Sequence, residues 1–572
     1  MVEQLLSSLM GTADTMMVSN VGSAAISAVS LVDAINILVI QALSALAAGG
    51  AILCSQYLGS QNLKKAKCSA EQVLFVMLVL SCSLSLLCLI FRFPLLRLIF
   101  GTVDTDVMAN SQIYFFFTLL SFPFIGLYDA GASILRAQNN TKGPMTISIL
   151  SNFLNIGGNA ILIFVFGMGV AGAAAASLLG NAAGILVVLP YLLSKKRTFR
   201  FVLRADGLRE TGRDLASSCS SFATDKASRI FSGLTVNLLL MYFVGNIGVA
   251  LYAVYSQLRF ILRILAGGAL QTISTLGSML YGERDFYGLR KMLSLLSKYT
   301  YALVAALMAG LFCFSAPFLN SDGIAAEPDT VLSLRIMLLS LPFLWLNDLL
   351  ARLYPSVQRQ RLSVLLLTLQ NVVLKILLLL LCVAAISRLH WRSVPAVAVW
   401  CLLVELLSPA VTLLREKRTC GNVALLGLED QADRSCHSFS ITGKPENVAD
   451  IHREIDLFCQ QNGIPRNKGV LLAIAFEEAA LNIINHNEHV SMIDICLLLE
   501  EGSLIVRIRD DGAPFDPLAF VDDEDILQMN NIRLLERLTD QKTYTRIMNM
   551  NNTVLSIRLE AAENDGANDS TC

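Results

Sequence analysis

About twelve stretches of this sequence each run close to 20 residues with almost no charge, separated by short polar breaks. A helix needs ~20 mostly apolar residues to cross ~30 Å of hydrocarbon. The runs lie at 1–20, 32–56, 70–91, 111–136, 144–166 and 170–193, and, after a polar gap, at 215–243, 249–280, 292–316, 331–355, 362–386 and 394–414. The expectation is an all-α polytopic membrane protein of about twelve transmembrane helices in two six-helix lobes. Composition agrees: of 572 residues 54% are hydrophobic and only 16% charged, where a soluble domain carries roughly 25% charge. The first run starts at Met1 without a polar anchor, which reads as a truncated or misassigned start; no basic segment precedes it, as one would before a cleaved signal peptide.

The net charge of −1 hides a split. Residues 1–414 carry 29 Lys/Arg and 18 Asp/Glu, whereas 415–572 carry 15 and 27. Loops after even-numbered runs are basic, as in Lys64-Lys65-Ala-Lys67, Lys195-Lys196-Arg197 and Arg415-Glu-Lys417-Arg418, and loops after odd-numbered runs are small or acidic. Basic loops stay cytoplasmic, so both termini are expected in the cytosol and the chain in the cell membrane. The 13 Cys sit mostly in apolar runs without a CxxC, and there are five His, so neither a disulfide framework nor a zinc site is implied.

Val18-Ser-Asn20-Val21-Gly22 is echoed 226 residues later by Val244-Gly-Asn246-Ile247-Gly248, each at the end of the first run of a six-run half. Gly and Asn tolerate the left-handed backbone of a tight turn. Two parallel repeats suit a transporter whose halves rock around a central site.

Ionisable groups inside these runs narrow the chemistry. Asp14 lies within the first run, where a carboxylate costs several kcal/mol unless it is protonated, ion-bound or paired. Asn155 and Asn159, four apart, share a helix face of the fifth run; with Ser177 and Tyr114 they complete an oxygen-rich pocket for a proton or Na⁺. Helix–helix hydrogen bonding is the alternative reading of the Asn pair. The second half holds Asp225, Asp348, Lys375 and Glu405, read either as an ion site or as a structural pair in which Lys375 neutralises an acid. Asp33, Asp129, Arg259 and Arg263 read as snorkelling groups near run ends and receive no role.

Gly11-Thr-Ala-Asp14-Thr15-Met-Met-Val18, Ser55-Gln56-Tyr-Leu-Gly59, Thr141-Lys-Gly-Pro144-Met145, Asn155 to Asn159 and Gly167-Met-Gly-Val-Ala-Gly172 occur in the order and on the runs of the MATE (multidrug and toxic compound extrusion) transporters, which residues 1–414 resemble. The resemblance implies antiport: export of amphipathic, often cationic, drug-like compounds coupled to H⁺ or Na⁺ entry. It puts the family's first-span carboxylate on Asp14 and its fifth-span pair on Asn155 and Asn159, many members having Asp at the second position. Its second-lobe acids map onto Asp225 and Asp348.

The domain boundaries expected are 1–193 and 215–414 for the lobes, 194–214 for a cytoplasmic connecting loop, 415–437 for a linker, 438–560 for a soluble α/β domain and 561–572 for a disordered tail. In the soluble part Val448–Gln461 and Leu471–His486 read as helices, and 491–499, 503–509 and 553–559 as strands. Glu478 and Asn482 are i, i+4 on one helix, placed to hold Mg²⁺ or orient a hydroxyl. Asp510-Asp-Gly512 follows a strand, where an Asp accepts from an adenine amino group and Gly admits the base.

Together these resemble the GHKL ATPase fold, in its anti-sigma-factor serine kinase branch. The resemblance implies ATP with Mg²⁺ held through Asn482, Glu478 as general base, Asp510 and Gly512 at the nucleotide, and an anti-sigma-antagonist-like protein partner. Gln528-Met-Asn530-Asn531 stands where that family has a glycine-rich phosphate loop, which weakens the expectation of kinase turnover. A membrane-anchored serine/threonine kinase or partner-binding regulator, and a lipid-linked glycan flippase, are the competing readings. The absent Gly-x-x-x-x-Gly-Lys-[Ser/Thr] loop disfavours an ATP-driven pump, and the acidic tail disfavours nucleic acid.

Overall fold

The computed structural model describes residues 11, 14, 16–60, 62–101, 104–138, 140–193, 208–321, 324–389, 393–420, 436–487, 490–500, 503–517, 539–547 and 550–558. The chain divides into two compact units, one of helices running to residue 424 and one formed mainly by residues 425 onward.

Ten helices among the described residues are long and apolar enough to cross a membrane. They carry ten of the twelve expected runs. Most of run 1–20 lies outside the described residues, though Gly11, Asp14 and Met16–Ser19 are helical. Run 215–243 falls on a 36-residue helix, Leu208–Phe243, which is not among the ten. Its interior holds Asp225, Lys226 and Arg229, and these keep its hydropathy low.

The two echoed motifs both break a helix. Gly22, at φ 138°, precedes the helix Ser23–Gly59, and Gly245, at φ 83°, precedes Asn246–Thr272. In the second copy the left-handed residue falls three positions earlier than the 226-residue offset would place it. The lobes meet along Ser23–Gly59. Near its C-terminal end the Gln56 amide donates to the carbonyls of Pro355 and Ser356, at 3.2 and 3.0 Å. A Cβ on Gly59 would come 2.1 Å from the Met279 carbonyl, and one on Gly282 2.3 Å from that of Gln56. Glycine is what permits so close an approach. This end carries the basic Lys64/Lys65 loop.

The second unit is a five-stranded antiparallel sheet, β1 (Cys436–Thr442), β2 (Met492–Glu500), β3 (Ser503–Asp510), β4 (Gln541–Ile547) and β5 (Met550–Arg558), in the order β1-β2-β3-β5-β4. Helices Ala449–Gln461 and Arg466–Asn485 share a core with it, built around Ile455, Phe476, Ile483, Ile495, Val506 and Leu555. The Arg466–Asn485 helix begins five residues before expectation. β1 and β4 carry polar, weakly alternating sequence and were not anticipated. Six further helical residues, 415–420, continue the expected last span, and 421–435, the rest of the expected linker, lies outside the described residues.

Candidate functional site

Alternation within each strand or helix explains where the polar groups of this chain gather, and they gather in three places. The first lies in the N-lobe. The Asn159 amide donates to Asp14 Oδ1 and to Asn155 Oδ1, the latter at 3.2 Å, and Asn155 donates to Ser177 Oγ at 2.8 Å. Asn155 and Asn159 are 2% and 0% exposed. Among the described residues Asn159 Oδ1 is left without a hydrogen-bond partner. A π-helical turn, Ala160–Val165, starts directly after Asn159; such turns recur at functional sites.

Tyr114 behaves differently from expectation. Its hydroxyl donates to Asp33 Oδ1 at 3.3 Å, and Asn36 donates to the same oxygen at 3.1 Å. Asp33 is therefore half-buried and hydrogen-bonded, not snorkelling. Among the described residues no Lys or Arg reaches either Asp14 or Asp33 at ion-pair distance. A polar residue four helical positions from a buried Asn is a weak signal, but Asp33 and Asn36 at i, i+3 share a face, and that spacing was available to find them.

The second cluster lies in the C-lobe, where Asp225, Asp348 and Glu405 each meet an arginine. Arg229 Nε is 2.6 Å from Asp225 Oδ1, and Arg263 grips both oxygens of Asp348 at 2.9 and 2.8 Å. Arg259 lies 3.3 Å from Glu405, which also accepts from Tyr255 at 2.7 Å, Asn347 at 2.8 Å and Gln370 at 2.6 Å. This corrects two expectations. Arg259 and Arg263 do not snorkel, because their helix starts at Asn246 and runs on to Gly282, placing them mid-span. Lys375 does not neutralise an acid, since arginines already do. Its ammonium instead lies 5.3 Å from the centre of the Tyr252 ring.

Two cavities open among these residues. One, of about 190 Å³, is lined by Asp225, Lys226, Arg229, Arg263, Asp348 and Arg352 among others. The other, of about 550 Å³, shares Arg229 and Arg263 and adds Tyr252, Arg259, Phe260 and Lys375.

The third cluster is at the end of β3. Inward positions along that strand read Leu504, Val506, Ile508 and Asp510, so the acid occupies a core-facing place, 2% exposed. Asp510 Oδ1 accepts from the Gly512 amide at 3.0 Å and from Asn551 Nδ2 at 2.7 Å, while Oδ2 accepts from no described residue. Burial pushes this carboxyl above the usual carboxylate range, against the lowering effect of those two bonds.

A Cβ at Gly512 would meet Asn487 Cγ at 2.8 Å. Asn487 Oδ1 receives the Ala513 amide at 2.7 Å, and Arg546 bonds the Gly512 carbonyl at 3.0 Å and Asn551 at 2.9 Å. Sequence reasoning missed Asn551, Asn487 and Arg546, which are remote in sequence from Asp510. A spare acceptor oxygen on this buried acid, beside a glycine, fits an adenine amino group.

Of the other expected residues, Glu478 is half-buried and Asn482 fully buried, its amide 3.3 Å from the Pro517 carbonyl. Gln528–Asn531 lies outside the described residues.

Residues 1–161 match the MatE family, and residues 441–558 match the histidine kinase-like ATPase domain. A Bacillus subtilis protein called an uncharacterized transporter, YisQ, is 28% identical over 193 residues, covering 33% of this chain and 42% of that protein. Another, called the probable multidrug resistance protein YoeA, is 24% identical over 284 residues, 48% of this chain and 60% of that one. The chain thus spans less than two thirds of the length of these relatives. A crystal structure of a MATE in its bent conformation superposes with a TM-score of 0.67 at 19% identity, over 73% of this chain and 93% of that one. The fold of the helical unit is that of these structures.

Proposed function

We propose that this chain, which joins an N-terminal MATE-family domain to a C-terminal histidine kinase-like ATPase domain, is a secondary exporter of amphipathic small molecules whose nucleotide-binding tail regulates transport. One observation carries the reading. Asp14 is held by a neutral amide in a chain of buried oxygens; among the described residues no cation neutralises it, and the neighbouring Asn159 oxygen lacks a partner. Oxygen donors of this kind suit H⁺ or Na⁺.

When Asp14 is ionised, its first-span helix is held by Asn159. An ion arriving from outside cancels the charge, frees that contact and lets the helix repack, which lowers affinity for the exported compound. Each charge carried inward through 100 mV supplies about 2.3 kcal/mol, or ~50-fold accumulation. No ATP is needed for this step. The basic-loop pattern places both termini in the cytosol.

In the tail, Asp510 and Gly512 would receive adenine, Asn482 would hold Mg²⁺, and Glu478 would act as base if phosphate were transferred. A protein substrate or partner is the natural recipient. ATP with Mg²⁺ supplies an activated phosphoryl group; the chain's own residues bind the base and exclude water around it.

Proteoliposomes with an imposed H⁺ or Na⁺ gradient test the proposal. Uphill dye export should collapse with one gradient and in Asp14→Asn, while nucleotide binding persists. Undiminished export by Asp14→Asn would sink the coupling scheme, and phosphate transfer to a protein without any transport would favour the membrane-anchored kinase instead.

A further inference from the structure

The charge inside the C-lobe runs opposite to what a cationic cargo needs. Six cationic side chains line its two cavities, which share Arg229 and Arg263: Lys226, Arg229, Arg259, Arg263, Arg352 and Lys375. The lining acids are Asp225 and Asp348 alone, and Glu405 stands behind Arg259. Three arginines are thereby matched. Lys226, Arg352 and Lys375 have no carboxylate at ion-pair distance among the described residues.

Lys375 is the sharpest case. It is 4% exposed, lines the larger cavity and lies 5.3 Å from the centre of the Tyr252 ring. Burying a cationic group without a paired acid is expensive, and these walls hold three more cationic groups than acids, an imbalance that a bound anion would offset. The same walls carry Tyr252 and Phe260, with Phe222 in the smaller cavity under the Arg352 guanidinium. Guanidinium groups hold carboxylate and phosphate in pairs of hydrogen bonds, and the rings accept an apolar body.

We propose that the C-lobe cavity binds an amphipathic organic anion, a carboxylate or phosphate attached to an aromatic or apolar body, and that Lys375, Arg352 and Lys226 are its charge partners. This rests on the export reading for its cargo role, but not for its binding. A cation would meet the same walls repelled. The cationic compounds implied by the family resemblance are accordingly not the cargo of this lobe.

The test uses the full chain in phosphatidylcholine nanodiscs and proteoliposomes, with carboxyfluorescein as the anionic probe and ethidium as the cationic one. Carboxyfluorescein should bind and ethidium should not. Lys375→Gln and Arg352→Gln should each weaken carboxyfluorescein about tenfold, the range of a lost charged hydrogen bond, and Lys375→Arg should retain binding. Each variant is checked for the parent's melting temperature, and Lys226→Gln replaces any that fails it.

Binding of ethidium tenfold tighter than carboxyfluorescein, or neutral variants within twofold of the parent, overturns the anion site. If ethidium is then exported uphill, the export reading stands alone. If carboxyfluorescein binds but neither dye moves against its gradient, the anion site stands and export falls. Displacement of the dye by phosphatidylglycerol assigns the site to a lipid headgroup; indifference to it assigns a soluble anion.

Discussion

The two lobes share a plan but solve the problem of buried charge in opposite ways. In the N-lobe, Asp14 and Asp33 are held by Asn159, Asn36 and Tyr114, all neutral. In the C-lobe, Asp225, Asp348 and Glu405 each meet an arginine. A carboxylate held by amides changes charge at modest cost to its surroundings, whereas one locked to a guanidinium strands the arginine when it does. The proposed scheme accordingly assigns titration to one lobe and a fixed field to the other.

The largest test of that contrast is stability. Glu405→Gln should cost roughly 3–5 kcal/mol, since it leaves Arg259 buried without its counter-charge, while Asp14→Asn should cost under about 1 kcal/mol; thermal unfolding in detergent compares them. Equal losses would erase the distinction between lobes.

The tail offers a third carboxylate of the neutral-partner kind. Asp510→Asn should weaken nucleotide binding by roughly 10- to 100-fold, as expected for loss of a charged acceptor, read by fluorescent-nucleotide titration. Tyr114→Phe should lower stability by about 1 kcal/mol, the value of one buried hydrogen bond. A loss as large as that of Glu405→Gln would mean Asp33 depends on it as on an ion partner.

The smallest effect is in pH. Burial raises the Asp510 carboxyl, and its charged form is the acceptor, so nucleotide affinity should fall several-fold as pH drops through a window above the ~4 of an ordinary Asp. The sign for folding is opposite. A carboxyl raised in the folded state contributes stability below its unfolded value and loses it as pH rises through the folded one. The tail should therefore melt higher in the same acid window where nucleotide leaves. A matched rise in both would refute the assignment.

Much of the N-lobe site was legible because one helix carries Asn155 and Asn159 a turn apart and a lone Asp14 stands in an apolar run. Tyr114 was expected beside Asn155, Asn159 and Ser177 but bonds Asp33 instead; which acid it serves depends on helix rotation, which sequence does not encode. Arg259 and Arg263 were misplaced although the expected run, 249–280, nearly matches the helix Asn246–Gly282; counting inward from either end of the run already puts both near mid-span. In the tail Asp510 was visible from its glycine turn, whereas Asn551 reaches it only through the pairing of β3 with β5, where the two are partners in register.

Gln56 spans the lobe boundary with an uncharged amide on two backbone carbonyls, and its own oxygen faces Gln358 at 3.5 Å. A clasp of this kind ignores both acidity and voltage. Its strength is set by chain geometry alone, so under the proposed coupling scheme parting of that mouth would be driven from elsewhere, by strain relayed along the long helix from the Asp14–Asn159 end. Swapping its amide for a shorter one would make the resting orientation drift without altering which ion is used.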